Sequence, residues 1–378
     1  MRVLAVNAGS SSLKLSVVED GGASGWGTVA TETLPAPGGQ LDQGPLRDIL
    51  SAHSPIDAVG HRIVHGGTEF TQPVLVDARV VGRLEALTDL APLHQPKSLR
   101  GLEVVSKLLP KVPAVACFDT AFHATIPLAA ATYALPPQWR RRWDLRRYGF
   151  HGLSHAWASR RAGEMLLPNS GEGPRTLSVV TCHLGAGASL AAVANGKSVD
   201  TTMGFTPLEG LVMATRSGSV DPGLLLWLEE HIGMPPSELA STLEHRSGLL
   251  GLAGNSDMRE VLKAEAAGDP NATLAIAVYL HRLRASIASM AAALGGLDAM
   301  VFTGGVGEHS PPVRGRTAEG LGFLGVSVDP GLNEDAAPDA ELSVAGAKVR
   351  TLVIEAREDL EIAYGARQVL EAASSSNS

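Results

Sequence analysis

Apolar and polar positions along the chain sketch most of its elements before any chemistry is considered. Val3–Val6 is a short apolar run, and Leu13, Leu15 and Val17 alternate with polar neighbours. Small or polar residues fill the space from Asn7 to Ser12, so the pattern predicts a β-hairpin. Ile56–Val64 reads as a strand. Leu99, Leu102, Val105 and Leu108 recur at helical spacing and predict a helix over 97–109, stopped by Pro110. Runs at 113–118 and 299–303 read as buried strands, 273–294 as a long helix and 358–373 as a final one. His281, Arg282 and Arg284 interrupt the long helix, which argues against a membrane span. Residues 19–55, rich in Gly, Pro and small polar side chains, predict an irregular connection or weak edge strands. Residues 200–222 read as mostly irregular, 247–260 as a Gly-rich loop, and SSSNS at 374–378 as a disordered tail.

The pattern also repeats. Residues 177–195 show strand, small-residue turn and strand in the same order as the opening hairpin, with Gly185 standing where Gly9 stands, 176 positions earlier. A repeat at that scale predicts a duplicated α/β domain, one phosphate-gripping hairpin per half and a cleft between the halves.

Composition narrows the function classes. The chain of 378 residues is 44% hydrophobic and 19% charged, values that belong to a globular protein with ample core. Its net charge of −8 argues against a general binder of nucleic acid or membrane. The basic stretch WRRRWDLRRY at 139–148 is one short cluster, read as a solvated or interface face. Cys117 and Cys182 lie in apolar strand-like runs and read as buried, inert thiols. No signal peptide or bilayer-length apolar stretch is visible, so the cytoplasm is the default compartment.

The polar residues that remain suggest a polyphosphate ligand. Three Gly-rich turns follow strands, near Gly9, Gly185 and Gly305, where backbone N–H groups can approach an anion. None is a P-loop, and the GxGxxG pattern is absent. Phosphoryl transfer also needs cations, a metal and an orienting group. Lys14 stands beyond the first turn, and Arg62 and Arg216 are isolated arginines in Gly-flanked polar segments. Asp119 ends an apolar strand, where α/β sheets place functional groups. Asp119 and Glu358 are carboxylates able to order Mg²⁺, Asn7 can offer an amide oxygen, and His151 can donate to a phosphoryl oxygen. The spacing of His151 and His155 would suit zinc on a helix, but no third ligand stands nearby.

These segments together resemble the acetate and propionate kinase family. The resemblance runs nearly end to end: VNAGSSSLK, GHRIVHGG, APLHQP, FDTAFHATIP, RRYGFHGLSH, HLGAGAS, TMGFTPLEGLVMATRSG, SGLLG, SDMRE and FTGGVGE. It implies duplicated ribonuclease-H-like domains of the actin-like ATPase kind, with an interdomain active-site cleft. The first domain would be 1–123 with 360–378, and the second, 124–359, would carry nucleotide binding and dimerisation. The implied reaction is ATP plus acetate, reversibly, to ADP and acetyl phosphate. Asn7 and Glu358 are then assigned to Mg²⁺, with Mn²⁺ as a substitute, and Lys14 to nucleotide phosphate. Arg62, with Arg216 and His151, steadies the transition state, and Asp119 orients the acceptor or metal. The methyl pocket is assigned to Val64, Leu93, Phe150 and Pro207. Nucleotide contacts fall on His183, Leu184, Gly185, Ala186 and Gly187, on Asp257, Met258 and Arg259, and on Gly305, Val306, Gly307, Glu308 and His309. A homodimer without nucleic-acid or membrane partners is also implied.

The chain departs from the family pattern in three motifs and in a short connection at 19–55. HLGNG reads HLGAG at Ala186, GEN reads GEH at His309, and MGTRSG reads MATRSG at Ala214. These bear on nucleotide affinity and base preference rather than on the reaction. A propionate or other short-chain carboxylate kinase is the nearest alternative. A non-catalytic nucleotide-binding regulator is the alternative from another class, and Arg62, Asp119, His151 and Arg216 together argue against it.

Overall fold

The computed structural model describes residues 1–8, 12–22, 25–35, 43–91, 95–167 and 177–375. The chain begins with strands β1 Arg2–Ala8, β2 Ser12–Asp20 and β3 Trp26–Pro35, then helix α1 Gln43–Ala52, β4 Ala58–Ile63 and β5 Val74–Leu75. Helices α2 Ala78–Ala86 and α3 Gln95–Leu108 precede β6 Ala114–Phe118, followed by α4 Leu128–Ala131, α5 Pro137–Trp143 and α6 Gly152–Leu166. Strands β7 Ser178–Leu184, β8 Ala188–Ala194 and β9 Lys197–Thr201 come next. After them run α7 Pro222–Trp227, α8 Pro236–His245, α9 Gly248–Ala253, α10 Met258–Ala266 and α11 Pro270–Leu294. The last elements are β10 Ala299–Thr303, α12 Gly304–His309, α13 Pro311–Glu319, α14 Pro330–Glu334, β11 Ala340–Glu341, β12 Arg350–Val353 and α15 Glu358–Ser375.

Two compact units result: Met1–Ala124 with Phe150–Trp157 and Arg357–Ser378, and Thr125–Gly149 with Ala158–Ala356. The first holds a sheet of order β3-β2-β1-β4-β6-β5, the second one of order β11-β12-β10-β7-β8-β9. In each, three antiparallel strands come first in sequence and two parallel strands are added beside the first of them. The register repeats as well. A shift interrupts pairing at Val17/Val18 in β2 and at Ala192/Val193 in β8. The duplication read from the sequence is therefore present down to a local irregularity of the ladder.

Strand alternation decides which side of the first sheet faces what. Leu4, Val6, Leu13, Leu15 and Val17 pack with Leu46 and Leu50 of α1 and with Val104 and Val105 of α3. Val3, Ala5, Val18 and Cys117 face the other way, against Leu360, Ile362, Ala363 and Ala366 of α15. Helix α15 thus covers the sheet that β1 opens. In the second unit, Ala-rich α11 buries Ala275, Ile276, Leu283 and Ile287. No helix among the described residues is long and apolar enough to cross a membrane.

Three expectations change. The 19–55 segment contains one of its two expected forms, an edge strand, the ten-residue β3, but also a helix, α1, that was not expected. The 247–260 loop is mostly two short helices, closed by Gly254 in the left-handed region and opened by Asp257 as a cap. The final helix runs on to Ser375. The expected turn at 9–11, Leu93 and the tail beyond 375 lie outside the described residues. Cys117 and Cys182 are buried free thiols, and burial pushes both well above the usual thiol range.

Candidate functional site

Four of the expected residues meet in the first unit. Asn7 lies near the end of β1, Arg62 in β4, Asp119 just past β6, and Glu358 opens α15. Arg62 donates to Asp119 through Nε at 3.0 and 3.1 Å and through a terminal nitrogen at 2.6 Å. Its other terminal nitrogen donates to Asn7 Oδ1 at 2.9 Å. The Asn7 amide donates to Glu358 Oε2 at 2.8 Å, and that oxygen lies 3.8 Å from Arg62 Nε. Asp119 is 1% exposed, whereas Arg62 and Glu358 keep 17% and 16% of their side chains open. The carboxyl is sealed while its partners reach solvent.

Electrostatics follow from that geometry. Burial works against the charge of Arg62, but Asp119 and Glu358 outweigh it, and the guanidinium holds its proton more tightly than usual. Burial pushes the Asp119 carboxyl up, the charge of Glu358 adds to this, and Arg62 opposes both. The two directions pull apart, and the geometry decides between them. Arginine does not give up its proton, and the carboxyl accepts every bond of the pair, so the two groups stand as an ion pair.

A lattice of buried hydrogen bonds frames this cluster. Asp119 N donates to Ile63 O at 3.0 Å, and Gly66 N donates to Thr120 Oγ1 at 3.0 Å. Gln95 accepts from His65 N and donates to the carbonyls of His65 and Leu84. Gly67 N donates to His65 Nδ1 at 2.9 Å. The His65 ring lies edge-on to Phe150 with centroids 5.5 Å apart. Val64 and Phe150, both expected in a substrate pocket, are buried here.

His151 belongs to the same unit. Its φ is +57°, in the left-handed region that non-glycine residues seldom occupy and that costs on the order of 1–3 kcal/mol. On one side Gly152 N donates to Asp119 O at 2.9 Å. On the other, His123 Nε2 donates to Phe150 O at 3.0 Å. Gly152 is required by close approach: a Cβ there would stand 2.0 Å from Asp119 O.

The second unit holds the remaining expected residues in separate groups. Gly185 N donates to Gly187 O at 2.9 Å, closing a turn between β7 and β8, and Ala186 O accepts from Ala214 N. Gly304, with φ +77°, brings the start of α12 against the Leu184 backbone, placing the 183–187 and 304–309 segments side by side. Glu308 Oε1 accepts from Gly304 N and Ala356 N, pinning the helix start. Arg314, buried, donates to the carbonyls of Gly307 and Glu308 and to Asn333. Asp257 and Arg259 form an exposed pair at the cap of α10. Among the described residues no hydrogen bond joins that pair to the 183–187 or 304–309 turns.

Arg216 is the informative cation of this unit. It donates to Pro207 O at 3.1 Å, bringing two expected site residues into contact. Unlike Arg62 it forms no ion pair among the described residues; burial weakens its hold on the proton, and the charge of Glu244 only partly offsets this. A half-buried guanidinium with no acid in contact is suited to accept an anion from elsewhere.

Sequence reasoning missed the supporting residues Gln95, His65, His123, Thr120 and Arg314. All but Arg314 fall within quoted family segments, yet nothing in spacing or composition marked them as buried and bonded.

Two sheets of one topology, each with polar groups at its strand ends, define the actin-like ATPase class of α/β fold. The acetokinase family model matches residues 40–364. The acetate kinase of Nostoc punctiforme is 42% identical, covering 98% of this chain and 100% of that protein. Among solved structures, the acetate kinase of Porphyromonas gingivalis has a TM-score of 0.87 at 36% identity, over 98% of this chain and 99% of that one. A propionate kinase from Francisella tularensis gives a TM-score of 0.87 at 34% identity, over 97% and 99%. The chain belongs to the acetokinase family.

Proposed function

We propose that the chain transfers a phosphoryl group reversibly between ATP and acetate, giving ADP and acetyl phosphate. The observation that carries the reading is Arg216, half-buried with no acid in ion-pair contact among the described residues and only the more distant charge of Glu244 against the cost of burial, and therefore suited to a ligand's negative charge. Acetate is already ionised at neutral pH, because carboxyl pKa values lie near 4, so the acceptor needs no general base. Alignment and charge stabilisation then carry the rate. Arg62 holds the carboxylate substrate and, with Arg216 and His151, meets charge spreading onto the phosphoryl oxygens. Asp119 fixes the Arg62 fork. Val64, Phe150 and Pro207 are the described residues proposed to meet the methyl group. Lys14, the 183–187 and 304–309 segments, and Asp257–Arg259 take the nucleotide.

Mg²⁺ fits the residues present. Asn7 Oδ1 and the Glu358 carboxylate are hard oxygens, and Asn7 Oδ1 keeps a second lone pair beyond the one Arg62 uses. No group of three acidic, His or Cys ligands occurs among the described residues. Mg²⁺ does not require one, since it keeps waters and shares substrate phosphates. Bound there, with Mn²⁺ as a substitute, the ion would neutralise phosphate charge.

A propionate-preferring enzyme is the second reading, favoured by the propionate kinase among the similar structures. One methylene separates the two, worth about 1–3 kcal/mol. We place the enzyme in the cytoplasm as a homodimer. Exposed Leu224, Leu226, Trp227 and Ile232 in the second unit support self-association, which light scattering tests. Trapping acyl phosphate as the hydroxamate, with kcat/KM compared for acetate, propionate and butyrate, tests the activity. Nucleotide binding without acyl phosphate from any of the three would overturn it.

A further inference from the structure

His123 has no part in the reading above, yet it controls the geometry of a residue that does. It lies in the helical turn Ala121–Thr125, four positions after Asp119, and is fully buried. Its Nε2 lies 3.0 Å from Phe150 O. A carbonyl only accepts, so the ring nitrogen donates. Phenylalanine 122 and His155 stand edge-on to the ring, with centroids 5.4 and 5.6 Å away. Packing on both sides holds the imidazole at one angle.

The bond matters because of what a peptide plane does. Phe150 C=O and His151 N–H belong to one rigid unit. Turning that unit over changes ψ of residue 150 and φ of residue 151 together. His151 has φ +57° only while the Phe150 carbonyl points at His123. The plane after His151 is held separately, by Gly152 N donating to Asp119 O at 2.9 Å. One turn of chain, Asp119–His123, therefore grips the backbone on both sides of His151. A left-handed non-glycine residue persists only where its surroundings impose it.

We propose that His123 is a positioning residue: its ring fixes the Phe150–His151 peptide plane and so holds His151 in its working conformation. This rests on the reading of His151 as a phosphoryl-oxygen donor. Burial keeps the His123 ring neutral by lowering its pKa to about 4, so the bond persists across the working pH range.

The test compares His123→Leu, which removes the donor, with His123→Gln, whose amide nitrogen reaches about as far as Nε2. The Leu variant is expected to lose kcat on the order of 10–100-fold, the usual effect of a small misplacement, with nucleotide KM unchanged. The Gln variant is expected to regain most of the loss. A purely structural role would lower the melting temperature of both while leaving kcat per folded molecule intact, and that result overturns the proposal. So does a Gln variant no better than Leu. Should the Leu variant not fold, ¹⁵N-histidine NMR of the unmutated protein decides. His123 must be a neutral Nε2–H tautomer between about pH 6 and 8, and an Nδ1–H tautomer or a cation overturns the proposal. Failure of the unmutated protein to form acyl phosphate would instead refute the proposed activity, and the tautomer result would still stand.

Discussion

Replacing Arg62 by Ala should damage stability and turnover together, and a second substitution should separate them. The guanidinium makes three bonds to Asp119, one to Asn7 and an ion pair with Glu358. Its removal strands a carboxylate that is 1% exposed. Breaking a buried pair from one side costs about 3–5 kcal/mol. For a domain of this size each kcal/mol moves the midpoint by about 2–4 °C, so a loss of roughly 6–20 °C is expected. Asp119→Asn in the Arg62→Ala background removes the stranded charge and should recover about half of that loss. Turnover should not recover, since the transition-state cation is still missing, and kcat should stay down on the order of 10³-fold. Thermal unfolding by circular dichroism and the hydroxamate assay on the same samples read both effects. If Arg62→Ala melts with the unmutated protein, or the second substitution restores nothing, the stranded-charge reasoning is wrong. If Arg62→Ala keeps near-normal turnover, the role of Arg62 is wrong.

Other perturbations give further tests. Burial lowers the pKa of His61 to about 3 and of His65 and His123 to about 4. Their contribution to stability is full above pH 6.5 and is lost as pH falls from there towards 4, because the unfolded chain takes up the protons first. At pH 5.5 that amounts to about 1.4 kcal/mol each, so urea midpoints at pH 7.5 and 5.5 should differ by an amount equivalent to about 4 kcal/mol. Equal midpoints would contradict neutral burial. Gly152→Ala should cost on the order of 3 kcal/mol and reduce kcat, while Gly163→Ala, with open space at its Cβ, should do neither. Arg314→Lys keeps the charge but loses the fork that holds the Gly307 and Glu308 carbonyls, and should raise nucleotide KM about tenfold with carboxylate KM unchanged. A rise in carboxylate KM instead would place Arg314 on the wrong substrate.

Legibility followed physical range. The hairpin at 3–18 and its copy at 177–195 were readable because alternation and turn composition are local. The ion-pair cluster was readable only as four separate residues. Asn7 and Glu358 are 351 positions apart, and no spacing rule reaches that far. The β3 edge strand was half-legible, since its Thr and Gly residues carry little apolar signal. Helix α10 was missed because Asp257 caps it from within a stretch that reads as loop. That residues 150–157 pack with the first unit rests on long-range contacts, Gly152 with the Asp119 carbonyl, Phe150 with His123 and His65, and Leu153 with the α15 face, none of which leaves a trace in periodicity.

The placement of α15 carries a consequence for biosynthesis. Leu360, Ile362, Ala363 and Ala366 cover one face of the sheet that β1 opens, and Glu358 bonds Asn7. With 200 positions between Trp157 and Arg357 and translation at about 5–20 residues per second, the rest of the first unit waits roughly 10–40 s for its missing helix. During that interval Val3, Ala5, Val115 and Cys117 lack their cover, a surface that a nascent-chain chaperone would recognise. Of the two units, the one that begins to emerge earlier is completed later.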